Sequence, residues 1–191
     1  LDRAYRTAHH GSELLPPEDG TMRAVTVPTD GIAWQDELLT VTAFTVEHDP
    51  IEPAVGYRVD YRGRSVVISG DSNAVDSLFE AAAGADLLLH DALSRSLLDP
   101  MIETAEANQI PILPTIMRDV IDYHADSLTL EEPARAAGIK QLAYYHLVPV
   151  PRNALAERIW ARGLSADTLL VKDLHTFDLP PNSEEIIIRE P

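Results

Sequence analysis

Strand-length apolar segments are the feature that most restricts the fold of this chain. Leu38–His48 and Lys140–Tyr145 are rich in strand-forming residues, and Ser65–Ser69 and Asp86–His90 are short, nearly continuous apolar runs. Runs of this length, bounded by turn residues, are typical of buried strands. Helical patterns separate the later runs, and short strands follow at the end of the chain. This order predicts an α/β (α+β) class with a mixed sheet flanked by helices.

The sequence predicts one folded unit preceded by a connector. Residues 1–37 are polar and rich in turn-forming residues, and strand-forming Thr and Val become frequent from Leu38 onward. We therefore expect residues 1–37 to form a connector and residues 38–191 to form the domain, a size suited to a single core. A helix is predicted over residues 93–108. It is expected to break near Pro100, because an interior proline clashes with the preceding turn.

Composition removes several classes of site and partner. The chain has no cysteine, which excludes disulfides, iron–sulfur clusters, thiol nucleophiles and cysteine-ligated zinc. Only nitrogen and oxygen ligands remain for a metal. Fifteen Lys and Arg against 31 Asp and Glu give a formal charge of −16, which disfavours nucleic acids and anionic membranes as partners. No apolar run is long enough to span a bilayer.

Histidines and one aspartate follow the predicted strands. The chain has seven histidines: His9, His10, His48, His90, His124, His146 and His175. His48, His90 and His146 end or follow strands, and Asp71 follows the strand at 65–69. Strand ends at one sheet edge meet in space, and imidazole and carboxylate groups are zinc ligands. Spacing alone leaves open a structural role for each histidine and a turn-forming or helix-capping role for the aspartate. The adjacent pair near the start of the chain is interpreted as exposed and polar.

Five segments in order carry a family resemblance. They are Thr45–Val59, Ile68–Ser72, Leu89–Ala92, Tyr123-His124 and Leu142–His146. Together they resemble the metallo-β-lactamase superfamily, in its ribonuclease Z and arylsulfatase-like branch, over roughly residues 38–149. The resemblance implies the second half of an αββα sandwich.

The resemblance also implies a role for each matching residue. His48 would ligate one metal, Asp71 would bridge two metals, and His146 would ligate the other. His124 would lie beside the scissile or leaving group. Asp91 stands where the branch has a glutamate and would orient a neighbouring ligand or His124. The implied cofactor is a pair of zinc ions, with manganese or iron as alternatives.

One expected motif is missing. The superfamily's main ligand signature, His-x-His-x-Asp-His, occurs nowhere in these 191 residues. We therefore expect this chain alone to be incomplete, with an N-terminal half or a second chain supplying the other ligands. An uncovered sheet face would favour a homodimer. Both the cytoplasm and the bacterial periplasm remain open as locations.

The substrate prediction rests on charge and spacing. Only 23 positions separate His48 from Asp71, which leaves no room there for the long tRNA-gripping arm of tRNA-processing relatives. With the net charge of −16, this favours a small ester, either a sulfate ester, a phosphodiester or a lactone, hydrolysed by metal-activated hydroxide. The alternatives are a ribonuclease Z-like tRNA 3′-processing endonuclease and a non-catalytic half-domain or degenerate binding module. A chance match on an ordinary α/β domain would instead leave the three ligand side chains far apart.

Overall fold

A seven-stranded mixed sheet organises the computed structural model, which describes residues 7–9, 11–14 and 25–190. The strands lie in chain order across the sheet: β1 (Gly31–Gln35), β2 (Leu39–Val46), β3 (Ala54–Tyr61), β4 (Arg64–Ile68), β5 (Leu87–Leu93), β6 (Gln141–Val148) and β7 (Leu169–Leu170). A separate hairpin pairs β8 (Thr176–Asp178) with β9 (Ile187–Arg189).

Strand direction brings several strand ends to one edge of the sheet. The first four strands pair antiparallel, so β2 and β4 both run opposite to β3 and parallel to each other. β4, β5, β6 and β7 then pair in parallel. The carboxyl ends of β2, β4, β5 and β6 therefore share one edge, which is where ligands bind in open sheets.

Helices cover the parallel part of the sheet. They are α1 (Asp76–Ala81), α2 (Arg95–Ala107), α3 (Leu113–Asp119), α4 (Glu131–Ala136) and α5 (Ala154–Trp160), with a 3₁₀ turn at Ser127–Thr129. The main core joins β4, β5 and β6 to these helices through five large, fully buried side chains: Leu78, Leu88, Leu130, Tyr144 and Trp160. Burial of one such side chain stabilises the fold by about 1.5–3 kcal/mol. This core holds the ends of the central strands in fixed positions.

The predicted fold class is confirmed, with two local differences. β1 lies inside the segment expected to be a connector, and it pairs with β2 as the edge strand of the sheet. The helix expected to break near Pro100 is continuous as α2. Its buried side chains Leu98 and Ile102 pack against Leu93, and this packing offsets the cost of an interior proline.

Among the described residues, no helix has both the length and the apolar character needed to cross a bilayer.

A buried ion-pair network fixes the edge of the sheet opposite to these strand ends. Asp86 Oδ2 accepts hydrogen bonds from Arg64 Nε at 3.1 Å and from the Ser65 amide at 2.8 Å, while Lys140 Nζ lies 3.0 Å from Asp86 Oδ1. The side chains of Asp86 and Arg64 are each only 5% exposed. Burial raises the pKa of Asp86, but the hydrogen bonds from Ser65, Arg64 and Lys140 outweigh burial and hold it below its ordinary value.

Replacing Asp86 by asparagine is expected to lower the free energy of unfolding by about 3 kcal/mol at pH 7, because Arg64 then stays buried without its charge partner. The folded-state pKa lies below the unfolded value of about 3.9, so the wild-type advantage should disappear as pH falls below that value. Urea denaturation at several pH values measures both effects. Asp99→Asn, which removes an exposed ion pair with Arg95, is the control and should cost less than about 1 kcal/mol.

Candidate metal centre

Four polar side chains meet at the carboxyl edge of the sheet. His48 lies two residues beyond β2, and Asp71 lies three residues beyond β4. His124 sits in the connection between α3 and the 3₁₀ turn, and His146 lies within β6. The structure thus brings together His48, Asp71 and His146, the three predicted metal ligands, with His124.

Backbone hydrogen bonds tie the loops that carry these side chains. The Asn73 amide donates to the Glu47 carbonyl at 3.0 Å, and Asn73 Nδ2 donates to the Asp122 carbonyl at 2.8 Å. The Ala125 amide donates to the Ser72 carbonyl at 3.1 Å. These bonds join the end of β2, the loop after β4 and the segment around His124 into one unit. These hydrogen bonds could not be predicted from the sequence, where Asn73 is recognisable only as a turn-forming residue.

The distances suit a metal site. One ligand atom from each of His48, Asp71 and His124 lies within 4.8 Å of the others, and the same holds for Asp91, His124 and His146. His146 Nε2 is 3.8 Å from Asp71 Oδ2, and the rings of His124 and His146 stack at 5.3 Å. Imidazole nitrogens and carboxylate oxygens are the donors that zinc and similar divalent ions accept. The residues present therefore fit a divalent metal.

Asp91 is the buried anchor of this cluster. Its side chain is fully buried, and its Oδ2 accepts a 2.6 Å hydrogen bond from His124 Nδ1. Its Oδ1 accepts from the Ser72 amide at 3.1 Å and lies 3.1 Å from His90 Nδ1. Burial raises the pKa of Asp91, but the hydrogen bonds from His124 and His90 outweigh burial, so the pKa is lowered. Asp91 is thus an ionised carboxylate that fixes the orientation of the His124 ring.

An irregular backbone sets the direction of His146. Its φ is +43°, in the left-handed region that side chains other than glycine seldom occupy. The register with β5 shifts at this point, since Asp91 pairs with Tyr145 while Ala92 pairs with Leu147. A bulge of this kind re-aims a side chain at a sheet edge. The side chain of His146 is 47% exposed and points toward Asp71.

Two tyrosines at the site were not predicted. Tyr123 places its ring 4.7 Å from the ring of His48 and 5.0 Å from that of His124. Burial raises the pKa of Tyr145, and the negative charges of Asp91 and Asp71 add to that rise. The Tyr145 hydroxyl therefore keeps its proton beside the site carboxylates. The only available signal was that each tyrosine immediately precedes a predicted site histidine.

The other histidines lie outside the two described ligand groups. His90 is fully buried against Asp91, and its Nε2 has no hydrogen-bond partner. His175 accepts a hydrogen bond from the Lys172 amide between β7 and β8. His9 is exposed, as expected, whereas His10 lies outside the described residues.

Comparison with known proteins assigns the family. Residues 4–146 match the model of the beta-lactamase superfamily domain. The chain belongs to the beta-lactamase superfamily. The chain is similar in structure to the metallo-beta-lactamase fold protein YhfI from Bacillus subtilis, with a TM-score of 0.53 and 18% sequence identity. The aligned region covers 78% of this chain and 53% of YhfI. This similarity shows the metallo-β-lactamase fold, which generally binds divalent metals such as zinc.

Several curated relatives of this superfamily member are named as ribonuclease Z. A protein named "Putative ribonuclease Z" from Mycobacterium tuberculosis strain CDC 1551 is 31% identical over 183 residues, covering 94% of this chain and 75% of the relative. "Ribonuclease Z" of Mycobacterium avium strain 104 is 32% identical over 180 residues, covering 91% of this chain. The chain spans 58% of that relative's length and 62% of the ribonuclease Z of Mycobacterium tuberculosis strain H37Rv. The family and fold indicate a hydrolase, as predicted.

These names overturn one prediction. The preference for a small ester, with nucleic acid disfavoured as a partner, is wrong, because the relatives are named as ribonucleases. The physical reason lies in the use of net charge. A charge of −16 is a sum over the whole chain, whereas phosphates are bound by the charges in their immediate neighbourhood. The chance-match alternative also fails, because the three ligand side chains lie together rather than far apart.

Gly70 allows the turn that presents Asp71. Its φ is +71°, and a Cβ added there would lie 2.8 Å from the Val55 carbonyl oxygen. Gly63 has a similar φ of +76° but open space around the Cβ position. Replacing Gly70 by alanine therefore adds a backbone clash to the conformational strain that both positions share.

We expect Gly70→Ala to destabilise the protein by at least about 1 kcal/mol more than Gly63→Ala, and to weaken divalent-metal binding at Asp71. Denaturant unfolding and titration with zinc measure the two effects. Equal stability of the two variants, with unchanged zinc affinity, would contradict the role assigned to Gly70.

Proposed function

We propose that this chain carries the metal-binding edge of a ribonuclease Z-like phosphodiesterase that removes the 3′ trailer of precursor tRNA. The observation that carries the proposal is the convergence of His48, Asp71 and His146 around His124, with Asp91 holding the His124 ring. The ribonuclease names of the relatives support RNA as the substrate.

The metal ligands are assigned by chemistry and position. His48 would hold one ion, His146 a second, and Asp71 would bridge the two, since its carboxylate lies near both histidines. Zinc fits this donor set, and manganese or iron would accept the same ligands. When bound, such ions supply Lewis-acid stabilisation of developing negative charge and a nucleophile at neutral pH.

The domain proposal follows from the ligand count. Three ligands for two ions are too few, since each catalytic zinc takes about three protein ligands. Residues 38–191, extended by β1, would form one half of a two-sheet sandwich. The other half would carry the His-x-His-x-Asp-His signature that these 191 residues lack.

His124 is proposed as the proton donor to the leaving oxygen. Its Nδ1 is engaged by Asp91 Oδ2 at 2.6 Å, which leaves Nε2 as the nitrogen available to substrate. The Asp91 carboxylate stabilises the protonated imidazole and keeps the ring from rotating. A proton on Nε2 would pass to the 3′ oxygen of the tRNA as the bond to the trailer phosphate breaks. The ring of Tyr123 lies beside that of His124, with the ring centroids 5.0 Å apart.

The function is tested with the protein that carries this chain, incubated with zinc or manganese and a precursor tRNA bearing a 3′ trailer. We expect release of the trailer at one position. Hydrolysis of a small phosphodiester without any trailer release would contradict the RNA substrate. Failure with both substrates, while zinc still binds, would contradict hydrolysis altogether.

Two variants separate the metal role from the proton-transfer role. His146→Ala should lose zinc and activity together. Asp91→Asn should keep zinc but lower kcat by about 10²–10⁴-fold, because the amide no longer stabilises a protonated His124. The matched control is Asp91→Glu, which keeps a carboxylate and places there the glutamate that the branch has at this position. It should recover part of the kcat that Asp91→Asn loses. Metal analysis and single-turnover cleavage distinguish these outcomes, and wild-type kcat in Asp91→Asn would exclude the assigned role.

A further inference from the structure

Most of the described cationic side chains are already engaged. Among residues 7–9, 11–14 and 25–190, seven Lys and Arg side chains pair with a carboxylate: Arg58, Arg64, Arg95, Arg118, Lys140, Lys172 and Arg189. Arg62 stacks on the ring of Tyr61 at 5.3 Å. Among the described residues, acidic groups thus neutralise most of the positive charge, and the exceptions are informative.

The exceptions concentrate at α5. Arg152, Arg158 and Arg162 are all exposed, and none of them has a carboxylate partner among the described residues. Residues 149–166 contain these three arginines and one acid, Glu157, within a chain of formal charge −16. Glu157 is itself paired with Lys172 at 3.1 Å, so it does not offset the arginines.

The three arginines lie along α5 and its two flanks. Arg158 lies within α5, and Arg162 follows the C-cap residue Ala161. Arg152 precedes the N-cap residue Asn153, whose side chain accepts the Leu155 and Ala156 amides and fixes the start of α5. At 1.5 Å per residue, the seven residues of α5 are about 10 Å long, so the three arginines belong to one short segment. We call Arg152, Arg158 and Arg162 the α5 arginines.

The helix α5 is held in a fixed position relative to the metal centre. Trp160 is buried, and its Nε1 donates to the Pro149 carbonyl at 2.9 Å, which holds α5 against the end of β6. A cavity of about 440 Å³ has His146, Pro151 and Glu157 among its lining residues. The cavity therefore leads from a proposed ligand to the first turn of α5.

We propose that the α5 arginines bind the phosphate backbone of the RNA substrate and hold it so that the scissile phosphate reaches the metal centre. The proposal rests on the RNA-cleaving function proposed above. Arginine is suited to this task because its guanidinium group binds phosphate through two parallel hydrogen bonds and remains charged at any working pH. Such contacts carry no sequence information, so the α5 arginines would position the RNA without selecting its nucleotide sequence.

The test is the triple variant Arg152→Gln, Arg158→Gln, Arg162→Gln of the protein that carries this chain. Arg135→Gln is the matched control. Arg135 is also exposed and unpaired among the described residues, but it lies on α4, one turn before Gly138 at the opposite edge of the sheet. Far-UV circular dichroism checks that the variants keep the wild-type fold.

For cleavage of precursor tRNA, the triple variant should raise KM about tenfold or more and leave kcat within about twofold, because binding and not chemistry is removed. In binding measurements, the slope of log K against log salt concentration should fall by about 0.7–0.9 for each lost contact. Arg135→Gln should match the wild type in KM and slope. An unchanged KM and slope in the triple variant would overturn the proposal.

Failure of the proposed function is seen separately. If the wild type releases no trailer, the cleavage proposal fails, and fluorescence anisotropy with labelled tRNA then decides the binding proposal. A reduced salt slope in the triple variant alone supports RNA docking on α5. Equal slopes in the wild type, the triple variant and Arg135→Gln exclude it.

Discussion

The hydrogen bond between Asp91 and His124 is the interaction on which the candidate site depends. Asp91 lies in β5, in the centre of the sheet, and is fully buried. One carboxylate oxygen holds His124, and the other holds the Ser72 amide next to Asp71. A single side chain thus sets the positions of two site residues from different loops. A buried carboxylate is tolerated only when both its oxygens are paired, so this arrangement also explains why the fold accepts a charge there.

The sequence predicted which side chains would meet better than it predicted their surroundings. His48, Asp71 and His146 were expected to lie together because each follows or ends a predicted apolar strand and strand ends converge, whereas their ligand roles were implied only by the family resemblance. The left-handed backbone of His146 could not be found, since a bulge depends on pairing with a neighbouring strand. The role of Asn73 depends likewise on contacts with residues far away in the chain. Local patterns give the direction of a strand, whereas tertiary contacts decide how its end is completed.

Two predictions were wrong for a similar reason. One relied on a local property, a single proline, and the other on a summed property, the net charge. Pro100 was expected to interrupt a helix, but the buried face of α2 keeps it continuous. Net charge was expected to disfavour nucleic acid, but the charge is divided unevenly along the chain. Among the described residues, acidic groups engage most of the basic ones in ion pairs, and the arginines near α5 remain exposed to solvent. The distribution of charge on the folded surface, which composition does not contain, is the relevant quantity.

The direction of β3 has a consequence for how this scaffold can change in length. The turn at Arg62-Gly63 joins β3 to β4 at the sheet edge remote from Asp71, so residues inserted there would leave the ligands in place. The connection from β2 to β3 begins at the opposite edge, directly after His48. An insertion in residues 49–53 would project beside the ligands and reach whatever is bound there. The two ends of β3 therefore divide the scaffold into a side where loop growth is neutral and a side where it alters what the protein can hold.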